Sequence, residues 1–238
     1  MVARILSSIV IVSLLGGVLG FAKHEANDRR VSGVEVKVMD AASAGFLNPQ
    51  RIESHLGTTR IEGERLHDVD LQKVVDNLLG MNPCAKAEVY PTMDGTLHID
   101  VWQRRPILRV HLKDGKDHYL DERGESMDLD PFHAPHLPIM HAANEGQARM
   151  GLAFVQATED DAFWNALTDQ LEVNARGELV LHPRLAGHEI VLGDASAPDH
   201  KKRNLKAFYR AQVKRGNLRN IKRIDLTYRD QVIAQRYP

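Results

Sequence analysis

Apolar and polar positions change period several times along the chain, and each change marks an element. Residues 5–22, ILSSIVIVSLLGGVLGFA, run for 18 positions without a charge. That is close to the shortest helix able to cross a bilayer. Alternation begins at VSGVEVKVM, residues 31–39, with Val34, Val36 and Val38 on one face and Glu35 and Lys37 on the other, as in a half-buried strand. NPQRIESHLG then predicts a helix, with Asn48 as N-cap, Pro49 at its first position and Gly57 past its end. In DVDLQKVVDNLLG, Leu71, Val74, Val75, Leu78 and Leu79 recur at helical spacing, after Asp68 or Asp70 as cap and before Gly80. Two alternating runs follow, Ala85–Val89 and Leu97–Val101, around an Asp94-Gly95 hairpin turn. The order over residues 31–105 is β-α-α-β-β, with helices on one face of a three-stranded sheet.

The second half reads as more strand. Ile107–Leu112 alternates, Asp114-Gly115 turns and His118–Leu120 returns, followed by a turn at Glu122-Arg123-Gly124. Residues 128–146 hold three prolines and three histidines with little periodicity, the mark of a loop or an edge connection. TEDDAFWNALTDQLE predicts a helix on the spacing of Phe163, Ala166, Leu167 and Gln170. Glu178–His182 and His188–Leu192 read as a hairpin. PDHKKRNLKAFYRAQVKRG reads as a helix capped by Asp199, stopped at Gly216 and buried along Leu205, Phe208, Tyr209 and Val213. The chain closes on two strands, Ile224–Tyr228 and Val232–Gln235, around Arg229-Asp230-Gln231. A terminal strand at a sheet edge leaves N–H and C=O groups able to template another chain.

These elements give an α+β fold. The divisions are a tail at 1–4, an apolar helix at 5–22, a polar linker at 23–30, an α+β domain at 31–105, and a mixed antiparallel sheet domain with flanking helices at 106–238. The apolar segment reads in two ways. It is an uncleaved signal anchor, favoured by its length, or a cleaved signal peptide ending at Gly20-Phe21-Ala22. Both place residues 23 onward across the membrane.

Composition narrows the function. Over 238 residues, 43% are hydrophobic and 26% charged, as in a globular chain, and the net charge of −1 gives no overall bias toward nucleic acid. The single cysteine, Cys84, forms no internal disulfide and reads as a small buried residue. His133, His136 and His141, with His118 upstream, are the most tempting metal ligands. The stretch is broken by prolines, however, and Asp130 is the only carboxylate close by, so no metal is expected. There is no phosphate-binding glycine loop and no G-x-S-x-G, and Asp160-Asp161 are helix neighbours that face apart. Neither a cofactor nor a small-molecule substrate is expected, and no catalysis. From Lys201 to Pro238 there are twelve Lys and Arg and two acids, a surplus suited to anionic lipid, nucleic acid, an acidic partner or a solvated helix face, with nucleic acid disfavoured by the expected placement outside the cytoplasm.

The motif order carries a resemblance. An N-terminal anchor, a β-α-α-β-β unit opening on VSGVEVKVM, and LHIDVWQRRPILRV, HYLDERGESM, HLPIM, HEIVLGD and IKRIDLTYRDQVIAQR together resemble the FtsQ/DivIB family of bacterial cell-division proteins over residues 31–236. The chain departs from that pattern at Gln103 and Arg104, near the usual acid, and at Thr227 and Asp194, where basic residues are common. Its expected cytoplasmic tail of four residues is also shorter. The resemblance implies a POTRA domain followed by a β-domain held outside the inner membrane by a single span, in the periplasm, at the division septum. It implies a non-catalytic divisome scaffold that bridges FtsB- or FtsL-like coiled-coil membrane proteins and restrains septal peptidoglycan synthesis until assembly is complete. The partner strand would add to the closing edge, with Tyr228 as the aromatic contact and Val232, Ile233, Ala234, Gln235 and Arg236 as the edge. The rival readings are another POTRA-bearing envelope assembly or secretion component, and a secreted hydrolase with a His-bound metal.

Overall fold

The computed structural model describes residues 14, 29–39, 45–57, 61–185 and 187–238. Apart from Leu14, the apolar segment at 5–22 lies outside the described residues, as does the linker up to residue 28. Among the described residues no helix is long and apolar enough to cross a membrane. The chain divides into two units, one ending at Arg104 and one running from Arg105 to Pro238.

The first unit follows the alternation. β1 (Gly33–Val38), α1 (Pro49–Leu56), α2 (Leu71–Leu79), β2 (Cys84–Pro91) and β3 (Thr96–Gln103) succeed one another. β3 lies in the middle, parallel to β1 and antiparallel to β2. Asn48 accepts a hydrogen bond from the Arg51 N–H at 2.8 Å, and Gly57 closes α1 at φ 60. Asp70 caps α2 through the Lys73 N–H at 3.0 Å. One stripe of the two helices, Ile52, Val74 and Leu78, packs with Ile99 and Val101 on β3 and with Cys84. Leu79, assigned to the stripe by spacing, is exposed. Gly95 sits at φ 88, and a Cβ there would come 2.7 Å from the Arg30 carbonyl, so the hairpin turn requires glycine.

The second unit is a nine-stranded mixed sheet. Its strands are β4 (Pro106–Leu112), β5 (Asp117–Asp121), β6 (Ser126–Asp128), β7 (Ile139–Ala142), β8 (Thr168–Val173), β9 (Leu179–Pro183), β10 (Glu189–Gly193), β11 (Ile221–Asp225) and β12 (Ile233–Arg236). They lie in the order β12-β11-β10-β9-β8-β7-β4-β5-β6. The pairs β4–β7, β7–β8 and β10–β11 are parallel and the others antiparallel. Parallel neighbours need crossovers; β4 reaches β7 through β5 and β6, and helices supply the other two. α3 (Glu145–Thr158) and α4 (Ala162–Leu167) carry the chain from β7 to β8, and α5 (Pro198–Lys214) carries it from β10 to β11.

Several expectations are corrected here. α3 lies almost wholly beyond the low-periodicity stretch at 128–146, over residues for which the sequence reading named no element, and it buries Ala148, Gly151, Leu152, Phe154 and Val155. Gly151 allows its close approach: a Cβ there would meet the Met140 sulfur at 2.7 Å. The helix expected through Gln170 stops at Leu167, and residues 168–173 form β8, because Leu171 is needed in the sheet core. Asp199 is not the cap of α5. Ala197 holds that place at φ 49, with Pro198 first in the helix, and Asp199 pairs with Lys202 at 3.0 Å. Val213 is exposed, while Leu205, Phe208 and Tyr209 reach the core.

Candidate functional site

β12 forms one margin of the large sheet, and its position follows from what its neighbour buries. On β11, Ile221 and Ile224 are inserted in the core, and Leu226 follows them there. The strand ends at Asp225, whose carboxylate accepts hydrogen bonds from the Thr227 N–H at 2.9 Å and the Thr227 hydroxyl at 2.6 Å. This side-chain turn starts the connection to β12. The expected strand 224–228 is therefore shifted to 221–225, and Tyr228 stands in the loop rather than on the strand. Arg229 anchors that loop through its carbonyl, which accepts from the Asn204 side chain on α5 at 2.9 Å.

β12 then runs antiparallel to β11, with Asp225 opposite Ile233, Ile224 opposite Ala234, Arg223 opposite Gln235 and Ile221 opposite Arg236. A register shift between Ile221 and Arg223 marks a bulge on β11. Ile233, Ala234, Gln235 and Arg236 are all exposed, and the half-buried Val232 packs against the core just before them. One side of β12 pairs with β11, and the other faces no strand among the described residues. Tyr228 is 54% exposed, Ile233 49% and Tyr237 51%. The fold thus brings five of the six sequence-predicted residues onto or beside one edge and leaves Tyr228 at the near turn. Sequence reasoning missed Tyr237. Its N–H donates to the Asn220 carbonyl at 3.0 Å and its hydroxyl to the Gly187 carbonyl at 3.4 Å, which fixes the end of the strand. A terminal Tyr-Pro directly after a strand was the available signal.

Beside the loop lies an open cleft of about 730 Å³, bounded by Gly193, Asp194, the first turn of α5, Leu226, Thr227 and Arg229. Its wall is built on a buried lysine. The Lys201 ammonium donates to the Asp194 carboxylate and carbonyl, both at 2.9 Å, and to the Ser196 carbonyl at 2.7 Å. The Ser196 hydroxyl, then Lys201, hold the Asp194 carboxyl down at about 2. Asp194 is therefore bound up in its own loop.

Chemistry elsewhere is sparse. Burial pushes the Cys84 thiol up to about 11, so it stays protonated and non-nucleophilic near neutral pH. His141 contacts the Gln170 side chain at 3.2 Å and lies edge-on to His111, while the His133 N–H donates to Asp130. Among the described residues no group of three or more His, Cys, Asp or Glu is placed to hold a metal ion.

Comparison with known families adds two matches. A family model described as FtsQ/DivIB, C-terminal related, matches residues 105–235, and one described as a POTRA-like domain matches residues 29–102. No curated protein matches the chain.

Proposed function

We propose, for a chain that belongs to the FtsQ/DivIB, C-terminal related family, the role of a non-catalytic scaffold that joins cell-division proteins at the septum by accepting a partner strand on β12. The observation that carries this is the open edge: four consecutive exposed residues at the margin of a nine-stranded sheet, on a strand that pairs with β11 alone among the described strands. Main-chain hydrogen bonds would supply pairing, and alternate side chains selectivity. Ile233, Ala234, Gln235 and Arg236 would be the paired strand, with Val232 and Tyr228 as flanking contacts. Tyrosine offers a broad apolar ring and one hydroxyl, the profile of an interface anchor. The partners would be FtsB- or FtsL-like coiled-coil membrane proteins, and the setting a single-pass inner-membrane protein whose bulk lies in the periplasm. The POTRA-like match alone would serve an envelope assembly component equally well. The match over residues 105–235 supports the division reading.

Two proline variants test it. Consecutive N–H groups on a strand point to opposite sides, so one of Ala234→Pro and Gln235→Pro removes an outward donor and the other an inward one. The assay is capture of an FtsB-like coiled-coil protein from the same cell by the detergent-solubilised full chain. The variant that keeps the β11–β12 pairing, judged by amide exchange, should lose capture. Capture by both variants at the parental level would place the partner elsewhere.

A further inference from the structure

The last 38 residues hold 12 of the chain's 31 Lys and Arg and 2 of its 32 acids. They carry +10 in a chain whose total is −1, which leaves −11 on the preceding 200 residues. No acid occurs between Asp199 and Asp225. The fold gathers part of this surplus at one end of the edge strand. α5 ends at Lys214 with Arg215 behind it, a 3-10 turn (Leu218–Asn220) carries Arg219, and β11 begins with Ile221 and Lys222. Ile221 pairs with Arg236, the last residue of β12. Topology therefore brings Lys214, Arg215, Arg219, Lys222 and Arg236 to the end where β12 leaves the sheet. All five are exposed, and none forms an ion pair among the described residues. Their neighbours differ: Arg223 is tied to Glu189 at 2.9 Å, and Lys202 to Asp199 and Asp161.

We infer that the chain pairing with β12 carries an acidic segment next to its paired strand, and that this segment settles on the five-cation cluster. The inference rests on β12 being the augmentation edge. A four-residue strand exposed on both faces specifies register weakly, because no buried face penalises a slip. A cluster of one charge sign at one end of the edge supplies what the main chain lacks. It fixes the direction and register of the added strand and speeds encounter. The cluster continues an unpaired main-chain edge, which a peptide can extend and a lipid headgroup cannot.

The test compares the parent with the variant Lys214→Gln, Arg215→Gln, Arg219→Gln, Lys222→Gln, Arg236→Gln, both as full chains in detergent and both checked for folding by circular dichroism. Each is titrated with the coiled-coil partner at 50 mM and 500 mM salt, and separately with phosphatidylglycerol vesicles. The expected result is binding on the order of 10- to 100-fold weaker for the variant at low salt, mostly through slower association, with the gap nearly closed at high salt. Equal affinity and equal salt dependence would overturn the inference, while the proline variants would still decide the edge reading. Vesicle binding lost with partner binding unchanged would assign the cluster to a membrane surface instead. No binding of the partner by the parent would overturn both readings.

Discussion

Replacing Lys201 by methionine tests whether one buried ammonium holds the turn between β10 and α5. Lys201 is 7% exposed, and its three acceptors all lie in the turn, at Asp194 and Ser196. Ala197 stands in the same turn in a left-handed conformation without a side-chain cap, so these bonds offset backbone strain. Methionine keeps the apolar stem and removes the donors. Hydrogen bonds to a charged group contribute roughly 1.5–3 kcal/mol each, and water replaces part of that at a surface turn, so the expected loss is about 2–4 kcal/mol. Asp194→Asn removes only a carboxylate charge from a side chain that is 72% exposed, and should cost about 0.5–1 kcal/mol. The pH dependence has a definite sign. The folded carboxyl of Asp194, at about 2, lies below its ordinary 3.8. Its contribution is therefore present above pH 3.8 and is lost as pH falls toward 2. Lys201→Met should flatten that part of the stability profile. Thermal melts of the full chain followed by circular dichroism suffice, since a domain of this size loses roughly 3–5 °C per kcal/mol. An Asp194→Asn loss as large as that of Lys201→Met would refute the reasoning, as would Lys201→Met falling within about 0.5 kcal/mol of the parent.

Three further outcomes are expected. Gly193→Ala forces a side chain into φ 78 and sets its Cβ 2.9 Å from the Thr227 methyl, so urea melts should show a loss of about 1–3 kcal/mol; an unchanged midpoint contradicts this. Cys84, with its thiol near 11, should resist iodoacetamide at pH 8 in the folded chain and react once the chain is unfolded; a native rate equal to the unfolded one contradicts its burial. Asn48→Ala should cost about 1 kcal/mol by removing the cap on the Arg51 N–H, whereas Asn48→Ser should be nearly neutral; equal losses would mean that the cap contributes little.

The first unit was legible in sequence because each local signal agreed with its packing. Asn48, Pro49 and Gly57 bracket α1, and Leu97, Ile99 and Val101 alternate on a strand whose other face is half-buried. The second unit was less legible where tertiary contacts decide. α3 sets Ala148, Leu152 and Val155 at helical spacing but follows directly on the proline-broken stretch and contains Gly151, a poor helix former that serves the contact with Met140, and no element was read there. Thr168–Val173 continues a helical spacing from Phe163 yet becomes a strand, because β7 and β9 are there to pair with it. The candidate edge was visible as a terminal apolar run, but its exact start was not. Asp225 ends β11 by bonding Thr227, a turn that alternation does not reveal, and this moved Tyr228 off the strand. The convergence of Lys214, Arg219 and Arg236 depends on a crossover helix and a bulged pair, which no linear charge count locates.

The most direct test of the central claim is hydrogen exchange at the amides of Ile233–Arg236 in the full chain, with and without the coiled-coil partner. In the free chain the outward N–H groups of β12 should exchange quickly and those bonded to β11 slowly. Partner binding should slow the outward set by at least an order of magnitude and leave the amides of β6, at the opposite margin, unchanged. Tight binding with no added protection on β12 would contradict the account.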